Sequence, residues 1–282
     1  MSIKIHVLHT GTVITSPYLP YGDGCSLIKA SGIFVPKGER IEMPVSAYLI
    51  EHPKGLLLFD TGWGRDMSPN GVFDRRAQIK SLGSYALYKV NQGVVGKGMT
   101  AAEQLRAMSV KSEDLDYILL SHLDCDHANG LRDLSGAKNI LVSNDELAML
   151  KSKSPVMKIR FCSRWWRGTK IKGFDWNDSE GAFGRAFDLF GDGSVKMINI
   201  PGHSDGLCAL KIKNGEGKFV LLFSDGGYSA KSWQDMILPG ISLNRVSQRK
   251  SLEWIREQSR DKNCIESIAN HDINVRPHII EF

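Results

Sequence analysis

The chain has 282 residues, of which 42% are hydrophobic and 24% charged, and its formal net charge is +5. These values are typical of a globular protein and exclude a collagen-like, low-complexity or highly charged disordered chain. No run reaches the roughly 18 apolar residues that a membrane span needs. The five cysteines form no C-x-x-C pair and no signal-peptide pattern precedes them. We therefore expect reduced thiols and a cytoplasmic protein.

Strand-like and helix-like segments alternate along the whole length. Strands are predicted at 3–15, 45–62 (two runs around a turn), 116–122, 139–143, 195–203, 208–212, 219–227 and 264–272. Helices are predicted at 73–90, at 100–108 with Thr100 as N-cap, at 144–151 with Asn144 or Asp145 as N-cap, and at 244–259. This interleaving favours a single α/β domain over residues 1–282.

The strand predicted at 116–122 runs into the segment SHLDCDHANG, which concentrates imidazoles and carboxylates. His122, Asp124 and Asp126 alternate, so in an extended chain their side chains point to one side, and His127 joins them at the next turn. Two carboxylates this close would repel each other without a cation, which favours a metal site. The alternative is a helix-capping aspartate beside a buried, hydrogen-bonded histidine.

Three later polar residues also stand where predicted strands stop. His203 follows a Pro-Gly turn in IPGHSDG, Asp225 ends the apolar run of LLFSDGGY, and His271 ends IANHD. Catalytic and metal-binding groups commonly lie at the strand ends of an α/β sheet, because the sheet holds them rigidly while loops admit substrate. These three residues are therefore candidates for the same site as the first cluster.

The motif order FDTG, SHLDCDH, PGHS, SDGGY and NHD resembles the metallo-β-lactamase superfamily, and within it the chain is most similar to the N-acyl-homoserine-lactone lactonases. The resemblance implies an α/β fold of the αββα type, with two mixed β-sheets flanked by helices. It also implies two divalent metal ions. One would be held by His122, Asp124 and His203, the other by Asp126, His127 and His271, with Asp225 bridging both. Asp60, in FDTG, would orient one of these ligands.

Asp124 departs from the family pattern, in which a histidine usually occupies this position. An ionised Asp124 would bring the charge of the dinuclear site to zero, which should raise the pKa of its bound water. A carboxylate also moves metal preference from zinc toward iron or manganese. We expect zinc, with iron or manganese as alternatives. A further alternative is that Asp124 only bonds to the backbone and reaches no metal.

The resemblance implies hydrolysis by a bridging hydroxide. The expected substrate is a small molecule, either a lactone similar to an acyl-homoserine lactone or an ester. Tyr228 would donate a hydrogen bond to the developing oxyanion, and Asp126 would carry a proton to the leaving oxygen. The alternatives are a phosphodiesterase or RNA-processing hydrolase of the same superfamily, and a non-hydrolytic diiron or metal-binding protein.

A basic, aromatic insertion is expected around 151–190. Its first part, 151–174, contains eight Lys or Arg, no Asp or Glu, and Phe161, Trp165 and Trp166. Such a segment could face phosphate, nucleic acid or an anionic substrate, or its aromatics could pack on the core beneath a solvated surface. We expect neither a nucleic-acid nor a membrane partner, and a homodimer is left open.

Overall fold

Two β-sheets form the centre of the structure, a computed structural model that describes residues 2–282. The strands are β1 Lys4–Thr15, β2 Ile41–His52, β3 Gly55–Phe59, β4 Gln92–Val94, β5 Tyr117–Leu119, β6 Ile140–Ser143, β7 Ile171–Phe174, β8 Ala186–Asp188, β9 Val195–Asn199, β10 Cys208–Lys213, β11 Phe219–Ser224, β12 Cys264–Ala269 and β13 Ile279–Glu281. The helices are α1 Tyr18–Tyr21, α2 Leu27–Ser31, α3 Arg75–Leu82, α4 Tyr85–Val90, α5 Ala101–Ala107, α6 Cys125–Ala128, α7 Asn144–Met149, α8 Pro155–Arg160, α9 Ala230–Gln234 and α10 Arg245–Ser259. Short 3₁₀ turns lie at Lys37–Glu39, Arg65–Met67, Ser112–Asp114, Asn129–Leu134 and Ser163–Trp166.

Both sheets are mixed. The first has the order β13-β1-β2-β3-β5-β6-β7, and β4 pairs with β1. In it β2 runs antiparallel to both of its neighbours, β1 and β3, whereas β3, β5, β6 and β7 are parallel. The second sheet has the order β12-β11-β10-β9-β8, in which β11 and β12 are parallel. The predicted αββα sandwich is confirmed.

The main core lies between the two sheets. Ile50 and Phe59 from the first sheet meet Leu210 and Leu222 from the second, and all four side chains are fully buried. Each outer face is covered by helices, with α5 against the first sheet and α10 against the second. Strand β11 is buried at every position because both of its faces are covered.

Side-chain caps mark the starts of several helices. Thr100 caps α5 in a reciprocal capping box with Glu103, as the sequence predicts. For α7 the prediction of Asn144 or Asp145 is wrong, because the hydroxyl of Ser143 accepts the hydrogen bond from the amide of Glu146. Ser143 also ends β6, so one residue closes the strand and starts the helix. Across residues 2–282, none of the helices has the length and apolar character that crossing a membrane requires.

The sheet topology gathers polar residues at one edge of the sandwich. The parallel neighbours β3 and β5 end just before Asp60 and His122, and the parallel neighbours β11 and β12 end just before Asp225 and His271. Parallel strands present their carboxyl ends at the same edge, so residues far apart in the chain meet there. This edge carries the candidate site.

Candidate metal centre

Six of the sequence-predicted residues form two buried groups at this edge. His122, His203 and Asp225 form one group, and Asp126, His127 and His271 form the other. Within each group the potential ligand atoms all lie within 4.8 Å of one another. Imidazole nitrogens and carboxylate oxygens gathered in this way are a donor set suited to divalent zinc, iron or manganese.

Asp225 lies between the two groups. Its Oδ1 is 3.3 Å from Nε2 of His127 and 3.3 Å from Nε2 of His271, whereas its Oδ2 is 3.6 Å from Nε2 of His203. Ligand atoms placed about 2.0–2.1 Å from a tetrahedral metal are roughly 3.3 Å apart. The spacing around Asp225 therefore matches ligands that share a metal, with one oxygen directed to each group.

Two buried ligand atoms support this fit. Nε2 of His122 and Oδ1 of Asp225 have no hydrogen-bond partner among residues 2–282. Buried polar atoms are nearly always hydrogen-bonded, and leaving one unpaired costs about 1–3 kcal/mol. Bound cations would satisfy both atoms, so the residues present fit a dinuclear metal site.

Asp60 lies beneath the second group and holds His127. Its Oδ2 accepts a hydrogen bond from Nδ1 of His127 at 2.8 Å, and its Oδ1 accepts one from the amide of Ser121 at 2.8 Å. This leaves Nε2 of His127 directed toward Asp225. Asp60 has a φ of +57°, a left-handed conformation that aspartate tolerates better than most residues. Its position is suited to orienting an imidazole ligand.

The electrostatics of the site reflect its dense packing of opposite charges. Burial acts to lower the pKa of His127, but the carboxylates of Asp225 and Asp60 outweigh it and raise that pKa well above its usual value. For His271, Asp225 again outweighs burial and the pKa is raised. Burial acts to raise the pKa of Asp225, but His271 and His127 hold it well below its usual value. The carboxylate is therefore ionised.

The first cluster is not extended throughout, and the predicted alternation is wrong beyond Asp124. The backbone is extended at Asp124, and α6 then begins at Cys125. Helical geometry turns successive side chains by about 100°, so Asp126 and His127 reach the second group from adjacent helical positions. Oδ2 of Asp126 lies 3.4 Å from Nε2 of His271, and Oδ1 lies 3.9 Å from Nε2 of His127.

Asp124 contacts the first group and also a residue that sequence reasoning missed. Its Oδ2 is 2.8 Å from Nε2 of His203 and 3.4 Å from Nε2 of His122. Arg160, the last residue of α8, donates to both carboxylate oxygens. The sequence contained one usable signal, because an extra buried carboxylate calls for a cationic partner and 151–174 is rich in cations.

Tyr228 lies beside the site and forms part of an adjoining cavity. The cavity has a volume of about 240 Å³ and is also lined by Asp124, Asp126, Asp225 and His271. Much of its remaining wall is apolar and includes Leu19, Met43, Leu87, Val90, Ile159 and Leu243. Burial raises the pKa of the Tyr228 hydroxyl well above its usual value, so the hydroxyl stays protonated and can donate a hydrogen bond.

The basic segment 151–174 is built into the sandwich. Strand β7 pairs in parallel with β6 at the end of the first sheet. Trp165 is buried, and its Nε1 donates to the carbonyl of Ser81. Most of its cationic side chains are exposed or half-buried on the outer surface, whereas Arg160 faces the cavity.

Comparisons with known proteins agree with this fold. The model of the metallo-beta-lactamase superfamily matches residues 40–221. The chain belongs to this superfamily, and the predicted class of metallo-hydrolase is confirmed. The N-acyl homoserine lactonase AttM of Agrobacterium fabrum is 25% identical over 244 residues, which cover 83% of this chain and 84% of AttM.

Solved structures of other proteins have the same fold. An N-acyl homoserine lactone hydrolase with the product N-hexanoyl-L-homoserine bound at its catalytic metal centre superposes with a TM-score of 0.74 at 20% identity, covering 98% of each chain. AidC, described as a dizinc quorum-quenching lactonase, superposes with a TM-score of 0.63 at 16% identity, covering 96% of this chain and 88% of AidC. At these identities the likeness establishes the architecture.

Proposed function

We propose that this metallo-hydrolase opens a lactone ring and that its substrate carries an apolar acyl chain, as N-acyl-homoserine lactones do. The observation that carries the proposal is the cavity, which joins the two metal-ligand groups to an apolar wall. An acyl chain against that wall would leave its polar head to the imidazoles and carboxylates of the site, because burial stabilises apolar surface. The lactonase AttM and the product-bound lactone hydrolase structure support this choice of substrate.

The residues around the cavity have distinct roles in this proposal. Two divalent metal ions, when bound, would polarise the substrate carbonyl and activate a water molecule. Tyr228 donates a hydrogen bond to the carbonyl oxygen as negative charge develops there. The oxygen of water bonds to the carbonyl carbon, the bond from that carbon to the ring oxygen breaks, and Asp126 carries the proton released by the water to the ring oxygen. The product is the open hydroxy acid.

Zinc is the metal that we propose, at two ions per chain. The donor set of imidazoles and carboxylates suits zinc, and AidC is described as a dizinc enzyme. Elemental analysis of the purified protein tests this directly. Two equivalents of zinc support the proposal, whereas two equivalents of iron or manganese would overturn the choice of metal and fewer than two would overturn the dinuclear site.

The substrate is tested by turnover. The protein is assayed with butanoyl-, hexanoyl- and decanoyl-homoserine lactones, with an alkyl ester and with a generic phosphodiester, and chelator-treated protein serves as the control. We expect lactone opening that is lost on chelation and regained with added zinc. Turnover of the phosphodiester without the lactones would replace the proposal with phosphodiester hydrolysis. Metal binding without turnover of any of these substrates would refute the proposed activity.

A further inference from the structure

Arg160 and Asp124 form a two-pronged ion pair beside the candidate metal centre. Nε of Arg160 lies 2.5 Å from Oδ1 of Asp124, and Nη2 lies 2.7 Å from Oδ2. A third hydrogen bond joins Nη1 to the carbonyl oxygen of His203 at 3.1 Å. Two parallel hydrogen bonds between a guanidinium and a carboxylate fix both groups in one plane. The orientation of Asp124 is therefore set by Arg160.

The same carboxylate also faces the first ligand group. Oδ2 of Asp124, which accepts from Arg160, lies 2.8 Å from Nε2 of His203 and 3.4 Å from Nε2 of His122. A carboxylate oxygen has more than one lone pair, so Oδ2 can accept from Arg160 and still face a cation held by the two histidines. The side chains of Arg160 and Asp124 are only 14% and 16% exposed, so water screens this interaction weakly.

The ion pair changes the charge expected for the site. An aspartate in place of the usual histidine would add one negative charge, which by itself would neutralise two metal ions together with their other ligands. Arginine stays protonated in proteins, so the pair of Arg160 and Asp124 has no net charge. A neutral imidazole at position 124 would likewise contribute no net charge to the site.

We propose that Arg160 is a positioning residue that directs Asp124 toward His122 and His203 and cancels its charge, so that the ion pair takes the place of a neutral histidine. This inference rests on the proposed dinuclear metal site. It predicts that positions 124 and 160 are coupled and cannot be changed independently. Asp124→His alone leaves the buried guanidinium without a counterion beside two cations, whereas a second change, Arg160→Met, removes that excess charge.

The test is a double-mutant cycle read out by zinc affinity, measured by competition with a chromogenic chelator in the absence of substrate. We expect Asp124→His to lower the affinity for one of the two zinc ions by about 10-fold or more, and we expect Asp124→His with Arg160→Met to regain most of that loss. When Asp124 is kept, Arg160→Met should not raise the zinc affinity. Arg164→Met is the matched control, because Arg164 lies in the same segment but donates to the carbonyl of Lys80.

Two outcomes would overturn the inference. A double variant that binds zinc no better than Asp124→His would show that Arg160 does not balance charge at this position. If Arg164→Met also restored the zinc affinity of the Asp124→His variant, the effect would come from surface charge in general and not from Arg160. If Asp124→His does not fold, Asp124→Asn supplies the same comparison. Failure of the unaltered protein to bind two metal ions would instead refute the proposed site, so the two failures are distinguishable.

Discussion

The ring of Tyr228 stacks on the imidazole of His271, with ring centroids 5.3 Å apart and planes inclined by 20°. His271 follows the end of β12 and belongs to the second ligand group, so the stack holds the ring of Tyr228 beside that group. A stacked aromatic pair loses little conformational freedom when substrate binds, which favours a fixed hydrogen-bond donor.

Tyr228→Phe should lower kcat for lactone opening by about 10-fold or more, because it removes one donor to the developing oxyanion and keeps the stacked ring. Zinc content should be unchanged. Steady-state kinetics on the preferred lactone, with elemental analysis, provide the measurement. Tyr88→Phe is the matched control, since Tyr88 is buried in the same hydrophobic cluster but does not line the cavity. Equal kcat values for Tyr228→Phe and the parent would remove Tyr228 from the reaction.

Asp60→Asn should weaken zinc binding by about 10- to 100-fold. Asparagine tolerates the positive φ at this position, so the backbone is kept. Its amide, however, can present a donor to Nδ1 of His127, which would move the proton of His127 to Nε2, the nitrogen that faces Asp225. Chelator competition measures the loss of zinc affinity. Asp116→Asn is the control, because the carboxylate of Asp116 accepts a hydrogen bond from the amide of Leu56. An unchanged zinc affinity would argue against this role for Asp60.

In the metal-free protein, the free energy of unfolding should decrease as pH rises. In metal-free protein the pKa values of His127 and His271 are raised, because nearby carboxylates outweigh burial. A raised pKa in the folded state contributes stability that is complete below the unfolded value of about 6.5 and is lost as pH rises through the folded value. Burial lowers the pKa of His203, so its titration affects stability at pH values below about 6.5.

Thermal unfolding of chelator-treated protein between pH values of about 6.5 and 9 measures this effect. We expect Tm to decline across that range without metal. Protein loaded with zinc should gain more in Tm at the higher pH, because zinc binds deprotonated imidazoles and competes with protons. A Tm of the chelator-treated protein that is constant or rises would contradict the assignment of these raised pKa values.

Val90→Phe should shorten the acyl chain that the enzyme accepts. Val90 lies at the end of α4 on the apolar wall of the cavity, and a larger ring there occupies space that a long chain needs. We expect kcat/KM for the decanoyl lactone to fall by about 10-fold relative to the butanoyl lactone. Val72→Phe, at an exposed position outside the cavity, should leave the ratio unchanged. A proportional loss on both substrates would mean that Val90 does not select chain length.

Much of the architecture could be predicted from the sequence because the polar motifs follow apolar strands directly. His122, Asp225 and His271 each come shortly after a strand, and parallel pairing then brings them to one edge. Strand β13 cannot be recognised from the sequence, because three residues give too short an alternating pattern. The sequence does not single out Ser143 as the N-cap of α7, since Ser143, Asn144 and Asp145 all have suitable side chains.

The contact between Arg160 and Asp124 could not be predicted from local pattern. The two residues are 36 positions apart, and eight cations in 151–174 compete for the assignment. Periodicity and motif spacing describe neighbours along the chain, whereas this pairing depends on where α8 lies over the finished sandwich. The same limit applies to α6, whose single turn interrupts the extended chain within the first cluster.

Helix α8 contributes both to the wall of the cavity and to the position of Asp124, two properties that a protein engineer would prefer to vary separately. Val156 and Ile159 face the cavity, and Arg160, at the end of the same six-residue helix, holds Asp124. Grafting this helix from a relative that has histidine at position 124 would therefore alter acyl-chain selectivity and metal retention together. Libraries that diversify 155–160 should keep arginine at position 160 or randomise position 124 along with it. Among natural homologues, we expect an aspartate at 124 to co-vary with an arginine on this helix.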